Sequence, residues 1–332
     1  MVPVMNTSEL IHWLSPESDK DELFRRADAV RRKYLGEGVL LRGIVEFSNY
    51  CDKTCQYCGL QHANSALKRF RMTREEIIES VAEVAAHQIK TVVLQSGEDP
   101  ALDPKWLAEI IALINTRFEM AITLSVGERP SKDYELWKKA GADRYLLKIE
   151  TTNPALYETI HPGMSLENRL RCLRELKKLG YQTGSGMIIG LPGQTLADIA
   201  HDIEYFRDEN FDMIGIGPFI PHPETSLANQ PAGDPELTIR AIALTRLETK
   251  NTNLPGTTAL GSLGKDYRLD ALKAGANVLM PNFTANGYKN LYDLYPNRRC
   301  VNEQRGECVG CMEKKVASVG RTIDFSRGDR NV

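Results

Sequence analysis

The sequence has no apolar run that approaches the roughly 20 residues needed to cross a bilayer, so a membrane-spanning protein is not expected. It also has no excess of charge of one sign, because 42 Lys and Arg stand against 44 Asp and Glu. This balance argues against a nucleic-acid surface and against a polybasic membrane anchor. General disorder is excluded as well, since 42% of the residues are hydrophobic and supply enough apolar surface for a core.

The first residues, 1–6, lack the charged and apolar regions of a secretory signal. We therefore expect a cytoplasmic protein. The chain has seven cysteines, and in a reducing compartment cysteines indicate metal or redox chemistry more often than structural disulfides.

Short apolar segments alternate with amphipathic ones along most of the chain. The predicted strands are 39–47, 91–95, 121–125, 145–150, 183–189, 213–217, 257–259 and 277–280. The predicted helices cover 8–35, the segment after the capping box 73–76, 106–115, 134–140, 165–179, 196–208, 237–249 and 267–274. Strands without polar alternation, separated by helices, are typical of a parallel sheet covered by helices.

Eight such units predict an α/β protein that forms a complete (β/α)8 TIM-type barrel. An open, doubly wound sheet is the alternative. We divide the chain into an N-terminal helical extension (1–35), the barrel (36–295) and a C-terminal tail that carries cysteines (296–332).

The most informative motif follows the first predicted strand, where Cys51, Cys55 and Cys58 have the spacing Cys-x3-Cys-x2-Cys. Four protein ligands would complete a structural zinc site or an ordinary four-iron cluster. Three thiolates leave one position open for another ligand, and the carboxyl ends of barrel strands are where barrel enzymes carry out chemistry. A zinc site completed by His62 or by a distant cysteine is the alternative.

With an aromatic residue, Tyr57, before the third cysteine, this motif resembles the radical S-adenosylmethionine (SAM) superfamily. The resemblance implies that Cys51, Cys55 and Cys58 are the catalytic residues and hold a 4Fe-4S cluster whose open iron binds SAM. It also implies a set of further SAM-binding residues near the strand ends: Tyr57, Ser96, Gly97, Glu98, Ser125, Glu150 and Arg169.

Several other segments resemble one branch of that superfamily, the HydE family of FeFe-hydrogenase maturases. They are 41–49, 93–100, 142–147, 190–195, 211–223 and 274–282. The resemblance implies reductive cleavage of SAM and transfer of a 5′-deoxyadenosyl group to a cysteine-bound iron dicarbonyl-cyanide species. It further implies a small iron complex as substrate, ferredoxin or flavodoxin as electron donor, other hydrogenase maturases as partners, no nucleic acid, no membrane, and a monomer.

An anionic iron complex requires a pocket lined by cations and hydroxyls. Arg42 is a charged residue on an otherwise apolar strand, and six other residues lie near predicted strand ends or in the loops that follow them. The substrate candidates are Arg42, His222, Thr257, Thr258, Asn282, Tyr292 and Tyr295.

The tail contains a second group of three cysteines, Cys300, Cys308 and Cys311. These resemble an accessory iron–sulfur site of the HydE family, of the 2Fe-2S or 4Fe-4S type and absent from some members. The seventh cysteine, Cys172, is expected in the core. Two other functions stay open: an organic-substrate radical SAM enzyme such as a methylornithine synthase, and a non-catalytic iron–sulfur or zinc protein.

Overall fold

A computed structural model describes residues 4–330, so the first three residues of the segment scanned for a secretory signal lie outside it. The helices are α1 Thr7–Leu14, α2 Lys20–Leu35, α3 Arg74–Ala86, α4 Pro104–Arg117, α5 Ser131–Ala140, α6 Pro154–Ile160, α7 Leu166–Lys178, α8 Leu196–Asp208, α9 Pro235–Thr249, α10 Arg268–Lys273, α11 Asn286–Lys289 and α12 Glu307–Ser318. The strands are β1 Gly38–Leu41, β2 Gly43–Ser48, β3 Thr91–Ser96, β4 Ala121–Ser125, β5 Arg144–Leu146, β6 Gln182–Ile189, β7 Met213–Pro218, β8 Val278–Leu279 and β9 Thr322–Asp324. Within residues 4–330, none of these helices has the length and apolar character to cross a membrane.

Parallel strands form the centre of the molecule. Six of them pair in the chain order β2-β3-β4-β5-β6-β7, and a second group pairs in the order β8-β1-β9. Every residue of β2 and β7 is buried, as expected for strands that are covered on both faces. The continuous apolar runs in the sequence reflect this double burial.

Isolated parallel bridges connect the two groups of strands. Met213 of β7 pairs with Asn253, and Pro255 pairs with Val278 of β8. A third bridge joins Ile44 of β2 to Asn282. Parallel pairing therefore continues from β7 through the segment 253–255 and β8 back to β2.

The N-terminal helices cover helix α9, which lies inside the molecule with almost all of its residues buried. Helix α2 packs on α9, and α1 packs on α8 and α9. We predicted a single helix over 8–35, and this was wrong. The helix ends at Leu14, and a new one begins after the N-cap Asp19, because Pro16 in between has no N–H to continue the first helix.

The predicted strand 257–259 was also wrong. Residues Thr258–Gly261 form a 3₁₀ helix, and the strand-like bridges occur earlier, at Asn253 and Pro255. Proline removes a donor from the ladder, so the extended segment ends there and the chain turns. By contrast, β4 and α8 have the predicted bounds.

Two parts of the fold were not predicted at all. Helix α6 begins with an Asn153 cap and Pro154 at its first position, a start signal that the sequence does contain. The tail forms α12 and β9, and β9 pairs in parallel with β1. The tail is therefore part of the strand assembly.

Candidate active site

The cysteine loop, residues 49–59, leaves β2 at its carboxyl end and is anchored at its start by Asn49. The buried side-chain amide of Asn49 donates to the carbonyl oxygens of Lys68 and Leu291 at 2.9 and 2.6 Å. Its carbonyl oxygen accepts from the backbone N–H of Phe70 at 2.7 Å. Both N–H donors and the carbonyl oxygen of this amide thus serve to fix the chain just before the first cysteine.

Gly97, after β3, lets the cysteine loop lie directly against the strand end. A Cβ at this position would be 2.2 Å from the carbonyl oxygen of Tyr50 and 2.9 Å from Cβ of Cys51. A larger residue would have to displace the loop backbone. Next to it, the N–H of Asp52 donates to the carbonyl of Glu98 at 3.1 Å.

Cys51, Cys55 and Cys58 are free thiols, and all three are half-buried. Burial is the main cause that raises the pKa of each, to about 12 for Cys55 and well above the ordinary thiol value for Cys58. The protonated thiols are therefore favoured in the protein alone, and the thiolates need a bound cation to stabilise them.

The three thiols of this loop suit a cluster with one open position. In the part of the chain that the structure describes, the group of three ligand atoms within 4.8 Å of one another is Cys300, Glu303 and Cys308, and the first cysteine loop forms no such group. A compact zinc site is therefore not preformed in the loop, since a tetrahedral zinc brings its ligand atoms to about 4 Å from one another. Three thiol donors fit an iron–sulfur group.

The residues expected to bind SAM gather at the carboxyl ends of neighbouring strands. Ser96 and Glu98 stand at the end of β3, and Ser125 ends the adjacent β4. Burial raises the pKa of Glu98, and Nζ of Lys53 lies 3.2 Å from one of its carboxylate oxygens. The carboxylate is thus largely buried, with Lys53 of the cysteine loop and Arg169 of α7 as cationic neighbours.

Glu150, which follows β5, has an unusual backbone. Its φ is 62°, a left-handed conformation that costs about 1–3 kcal/mol for a residue with a side chain and is often found at functional sites. A backbone hydrogen bond to the Gly186 carbonyl holds it there. Nζ of Lys148 lies 2.7 Å from Glu150 Oε2, yet that oxygen accepts no well-directed hydrogen bond, so it remains able to bind a ligand.

The guanidinium of Arg169, on α7, lies near the same strand ends. Protein groups bind it through two of its nitrogen atoms. Its Nε lies 2.6 Å from Glu128, and its Nη1 donates to the carbonyl of Lys148 at 2.6 Å. Asn168 donates to the other oxygen of Glu128 at 2.6 Å. We did not predict Glu128, which orients the arginine.

Tyr57 pairs with His161, another residue that we did not predict. The Tyr57 hydroxyl and Nε2 of His161 are 3.0 Å apart, and the rings meet edge to face. Burial lowers the pKa of His161 to about 3 and raises that of Tyr57. The pair is therefore neutral and fixes the aromatic ring between the second and third cysteines.

Below the cysteine loop lies a cavity of about 270 Å³ that is lined in part by residues of the parallel strands. Cys58 and Tyr57 form part of its upper wall, and Arg42, before β2, lies at the opposite end. The polar residues that line it are Arg42, Glu46, Tyr57, Gln95, Thr123, Lys148, Glu150, Thr257, Thr258, Tyr295 and Arg298. The cavity thus joins the cysteine loop to a polar interior.

Three buried polar atoms that belong to cavity-lining residues have no hydrogen-bond or ion-pair partner among residues 4–330. They are Nε of Arg42, Oγ1 of Thr123 and Nε of Arg298. An unpaired buried polar group costs about 1–3 kcal/mol, so such groups usually have a bound partner. Two cationic donors and a hydroxyl suit an anionic ligand.

The substrate candidates divide into two groups. Those that line the cavity are Arg42, Thr257, Thr258 and Tyr295. The others are engaged elsewhere: His222 contacts Asp293 at 3.1 Å, Asn282 donates to Glu46 at 2.9 Å, and the hydroxyl of Tyr292 accepts from Gln95 at 3.1 Å. Asn282 and Tyr292 thus contact Glu46 and Gln95, which line the cavity, whereas Asp293, the partner of His222, is not among the lining residues.

Glu46, Lys148 and Arg298 line the cavity and were missed. Glu46 lies in β2, four residues after Arg42, and both belong to the predicted strand 39–47, where residues two and four apart share a face. The argument that identified Arg42, a charge on an apolar strand, applied equally to Glu46. Arg298 donates to Glu46 from the tail, a long-range contact that spacing does not indicate.

In the tail, Cys300 and Cys308 converge with Glu303, whereas Cys311 is exposed on α12 and is not part of this group. The hydrogen bond with Cys300 lowers the pKa of Cys308 to about 7. A second cavity, of about 20 Å³, adjoins these cysteines and shares Glu46 and Arg298 with the large one. This site therefore lies against the wall of the main cavity.

Known proteins resemble this chain over nearly its whole length. The model of the Radical SAM superfamily matches residues 45–206. The HydE subunit of the FeFe-hydrogenase maturase from Thermotoga maritima is 50% identical over 310 residues, which are 93% of this chain and 89% of the relative. The 3-methylornithine synthase of Methanosarcina acetivorans is 26% identical over 268 residues, 80% of this chain and 75% of that protein.

Two solved structures have a similar fold. A methylornithine synthase superimposes with a TM-score of 0.82 at 23% identity and covers 97% of this chain and 95% of its own. The FeFe-hydrogenase maturase HydG gives 0.82 at 17% identity, with 98% and 74% covered. At these identities the likeness concerns the fold alone.

Proposed function

The chain belongs to the radical SAM superfamily and, within it, to the HydE maturases of FeFe-hydrogenase, and from this premise we propose how its residues serve the reaction. It is a radical SAM enzyme, and the non-catalytic metal-binding alternative is set aside. The family implies a 4Fe-4S cluster and SAM as cofactors. The observation that carries our proposal is the set of unpartnered polar atoms in a cavity that begins at the cysteine loop.

Cys51, Cys55 and Cys58 would hold the 4Fe-4S cluster as its three protein ligands. The presence of three thiols on one loop supports this assignment, and the fourth iron would remain open for SAM. With SAM bound and an electron supplied, the cofactor provides a 5′-deoxyadenosyl group by reductive cleavage of the sulfonium. The task of the protein is to bind, to orient and to exclude water.

The strand ends would bind SAM through complementary charges. Glu98 and Glu150 offer carboxylate oxygens for the SAM ammonium group and the ribose hydroxyls. Arg169 is held by Glu128 through Nε, and its remaining N–H groups would pair with the SAM carboxylate. Ser96, Gly97, Ser125 and Tyr57 complete the predicted contacts and remain predictions.

The cavity below would bind a cysteine-bound iron species with carbonyl and cyanide ligands. Such an anion needs cationic and hydroxyl donors in a place from which water is excluded. Arg42, Arg298 and Lys148 supply positive charge, and Thr123, Thr257, Thr258 and Tyr295 supply hydroxyl groups. The second group of candidates (His222, Asn282 and Tyr292) would act by positioning these residues.

For the architecture, we propose a complete (β/α)8 barrel with an N-terminal extension (1–35), a radical SAM barrel (36–295) and a tail (296–332). The parallel bridges at Asn253, Pro255 and Asn282 support closure, because they extend pairing from β7 to β2. The tail would hold an accessory iron–sulfur cluster, of the 2Fe-2S or 4Fe-4S type, through Cys300, Cys308 and Cys311. The convergence of Cys300 and Cys308 supports this for two of the three.

We further propose a monomer that works with other hydrogenase maturases and takes electrons from ferredoxin or flavodoxin. The cytoplasm remains our proposed location. Support comes from the seven cysteines, all of which are unpaired thiols, as iron–sulfur ligands must be in a reducing compartment.

The decisive experiment is anaerobic reconstitution with iron and sulfide, followed by reduction in the presence of SAM. We expect 5′-deoxyadenosine or its adduct from the parent protein and from Cys172→Ala, whose thiol lies in the core, but not from Cys51→Ala. Equal product from parent and Cys51→Ala would overturn the assignment of the cluster ligands.

The substrate is tested by supplying a cysteine-ligated iron dicarbonyl-cyanide complex and, separately, lysine. We expect an adenosylated iron product from the former and no methylornithine from the latter. Conversion of lysine alone would instead identify an organic-substrate enzyme of the methylornithine-synthase kind.

A further inference from the structure

The amino-terminal end of the strands, opposite the cysteine loop, is covered by the last described residues of the chain. The segment 326–330, which we call the strap, follows β9 and lies across this end. The carbonyl oxygen of Arg327 accepts from Oγ1 of Thr91 at 2.9 Å and from Nη2 of Arg144 at 2.7 Å. Thr91 and Arg144 are the first residues of β3 and β5.

The next two residues of the strap continue around the ring of strands. The Gly328 carbonyl accepts from Nδ2 of Asn253 at 3.1 Å and from Nη2 of Arg42 at 3.4 Å. Oδ1 of Asp329 accepts from Nη2 of Arg144 at 2.6 Å and from Nε2 of Gln182, the first residue of β6, at 2.8 Å. The strap thus contacts the beginnings of strands on opposite sides of the ring.

The groups under the strap are buried, whereas the strap itself is only partly so. Arg144 is 0% exposed and Arg42 is 5% exposed, but the Asp329 side chain is 39% exposed. A buried arginine without an acceptor is costly. The oxygens of the strap therefore stabilise two buried arginines at this end by accepting hydrogen bonds from them. These polar contacts, more than apolar ones, hold the strap in place.

Arg42 connects this end to the interior. It donates to the strap through Nη2, lines the main cavity, and has an unpartnered Nε. If the strap moved away, Arg42 would face solvent on one side and the cavity on the other, with Arg144 beside it at the strand beginnings. Asp143 and Asp212, which face Arg327 and Arg330 of the strap, would remain at the outer rim. The two arginines are the more deeply buried charges, so the inner part of the opening would be cationic and would admit anions in preference to neutral solutes.

Gly328 supports a close fit between the strap and the strands. Its φ is 62°, and a Cβ would lie 2.6 Å from a methyl group of Leu40 in β1. A side chain at this position would be strained and would push the strap away. We propose that residues 326–330 are a removable closure of a second, cation-lined opening of the cavity, through which small anions pass when the strap is displaced.

The proposal is tested by the access of alkylating reagents to a thiol placed in the cavity. Thr123→Cys provides this target thiol, because Thr123 lines the cavity and its hydroxyl has no partner. The reconstituted enzyme is used with SAM present to limit entry from the cysteine loop, and adducts are assigned by peptide mass spectrometry. Cys172, which is fully buried in the core, is an internal control for unfolding in every sample.

Removal of the strap by a stop after Phe325 should raise the rate of modification of the target thiol by about tenfold or more, with Cys172 unchanged. The gain should be larger for iodoacetate, an anion, than for neutral iodoacetamide, because the opening is cationic. Glu109→Gln, which removes an exposed carboxylate on α4 that pairs with Arg74 on α3, is the matched control and should leave both rates unchanged. Equal rates at the target thiol with and without the strap would refute the proposal.

If the shortened chain unfolds, Cys172 becomes reactive as well. The alkylation rates are then measured for Asp329→Asn in the Thr123→Cys background. This variant keeps the full chain and removes only the charge that Arg144 and Gln182 hold. A smaller increase, still selective for iodoacetate, is then expected. An increase that is the same for both reagents would contradict a cationic opening. The test does not depend on the substrate assigned above.

Discussion

The two cysteine triplets have the same number of thiols but different structural support. Cys51, Cys55 and Cys58 are all half-buried on one loop, which Asn49 and the close contact at Gly97 fix in place. In the tail, Cys300 and Cys308 converge, but Cys311 is exposed on a separate turn of helix. The sequence predicts a catalytic cluster at the first group and an accessory one at the second, and the structure adds that the surroundings of the two groups differ.

The difference shows that the surroundings of a thiol, more than its spacing, define the kind of site. The first triplet opens on a cavity whose walls carry unpartnered donors, so a group bound there can meet a ligand. The second adjoins a space of only about 20 Å³, which leaves no room for a substrate. We expect the first to be catalytic and the second to bind metal without catalysing the reaction.

The largest expected effect comes from removing one ligand from each triplet in turn. Cys51→Ala should lose the cluster and bring SAM cleavage to background, because a cluster held by only three thiolates cannot spare one of them. Cys308→Ala should lose metal from the tail and retain most SAM cleavage. Iron content and 5′-deoxyadenosine are measured for both. Comparable activity losses in the two variants would remove the distinction that we draw.

The next effect concerns the ion pair that lies between the two sites. Glu46 and Arg298 are buried, with side chains 3% and 7% exposed, and both line the large and the small cavity. Arg298→Met leaves a buried carboxylate without its cation and should lower the free energy of unfolding by about 3–5 kcal/mol. Chemical denaturation measures this loss. The double variant with Glu46→Gln should recover part of it, and a fully additive result would show that the pair is not coupled.

Much of the fold was predictable because the strands are buried on both faces and therefore read as apolar runs. The bounds of β4 and α8 show this. The errors occurred where a local signal was overlooked or outweighed. Pro16 divides the first helix, and Pro255 ends the extended segment before Thr257. Helix α6 had a recognisable start at Asn153 and Pro154 that we did not use.

The site was predictable where one motif carries it, and not where distant segments meet. The cysteines and the strand-end residues Glu98 and Glu150 come from local patterns. Arg298 reaches Glu46 from 252 positions away, and the strap reaches Arg144 from the far end of the chain. Such contacts depend on how the elements are arranged in space, which no single segment indicates.

The stability of the turn that follows Glu150, beside the first site, should depend on pH. Asp202 is fully buried on α8, and its Oδ1 accepts from both N–H and hydroxyl of Thr152, in the turn after Glu150. Burial raises the pKa of Asp202 to about 7. Because the folded state binds the proton more tightly than the unfolded state, this contribution to stability is present at low pH and is lost as pH rises toward 7.

The parent protein should therefore lose about 2–3 kcal/mol between pH 5 and pH 8 relative to Asp202→Asn, which has no charge to bury. Denaturation curves at both pH values measure this difference. Asp133→Asn is the control, because Asp133 is a buried aspartate that is paired with Arg129 at 3.0 Å. If the Asp202 variant followed the parent at every pH, the carboxylate would not titrate in this range.

The smallest effect compares two glycines, one next to each group of cysteines. Gly97→Ala places a Cβ 2.2 Å from the Tyr50 carbonyl, so the cysteine loop has to move, which should cost about 1–3 kcal/mol and reduce cluster occupancy. Gly310→Ala, beside Cys311 on α12, meets nothing within 4 Å and should stabilise the helix by up to about 1 kcal/mol. Melting temperature and bound iron are measured for both.

The two substitutions should change stability in opposite directions, because only the first group of cysteines is packed against a strand end. A Gly97→Ala protein that kept its full iron content would show that the loop tolerates displacement, and the contact at Gly97 would then be a consequence of the fold with no part in holding the cluster.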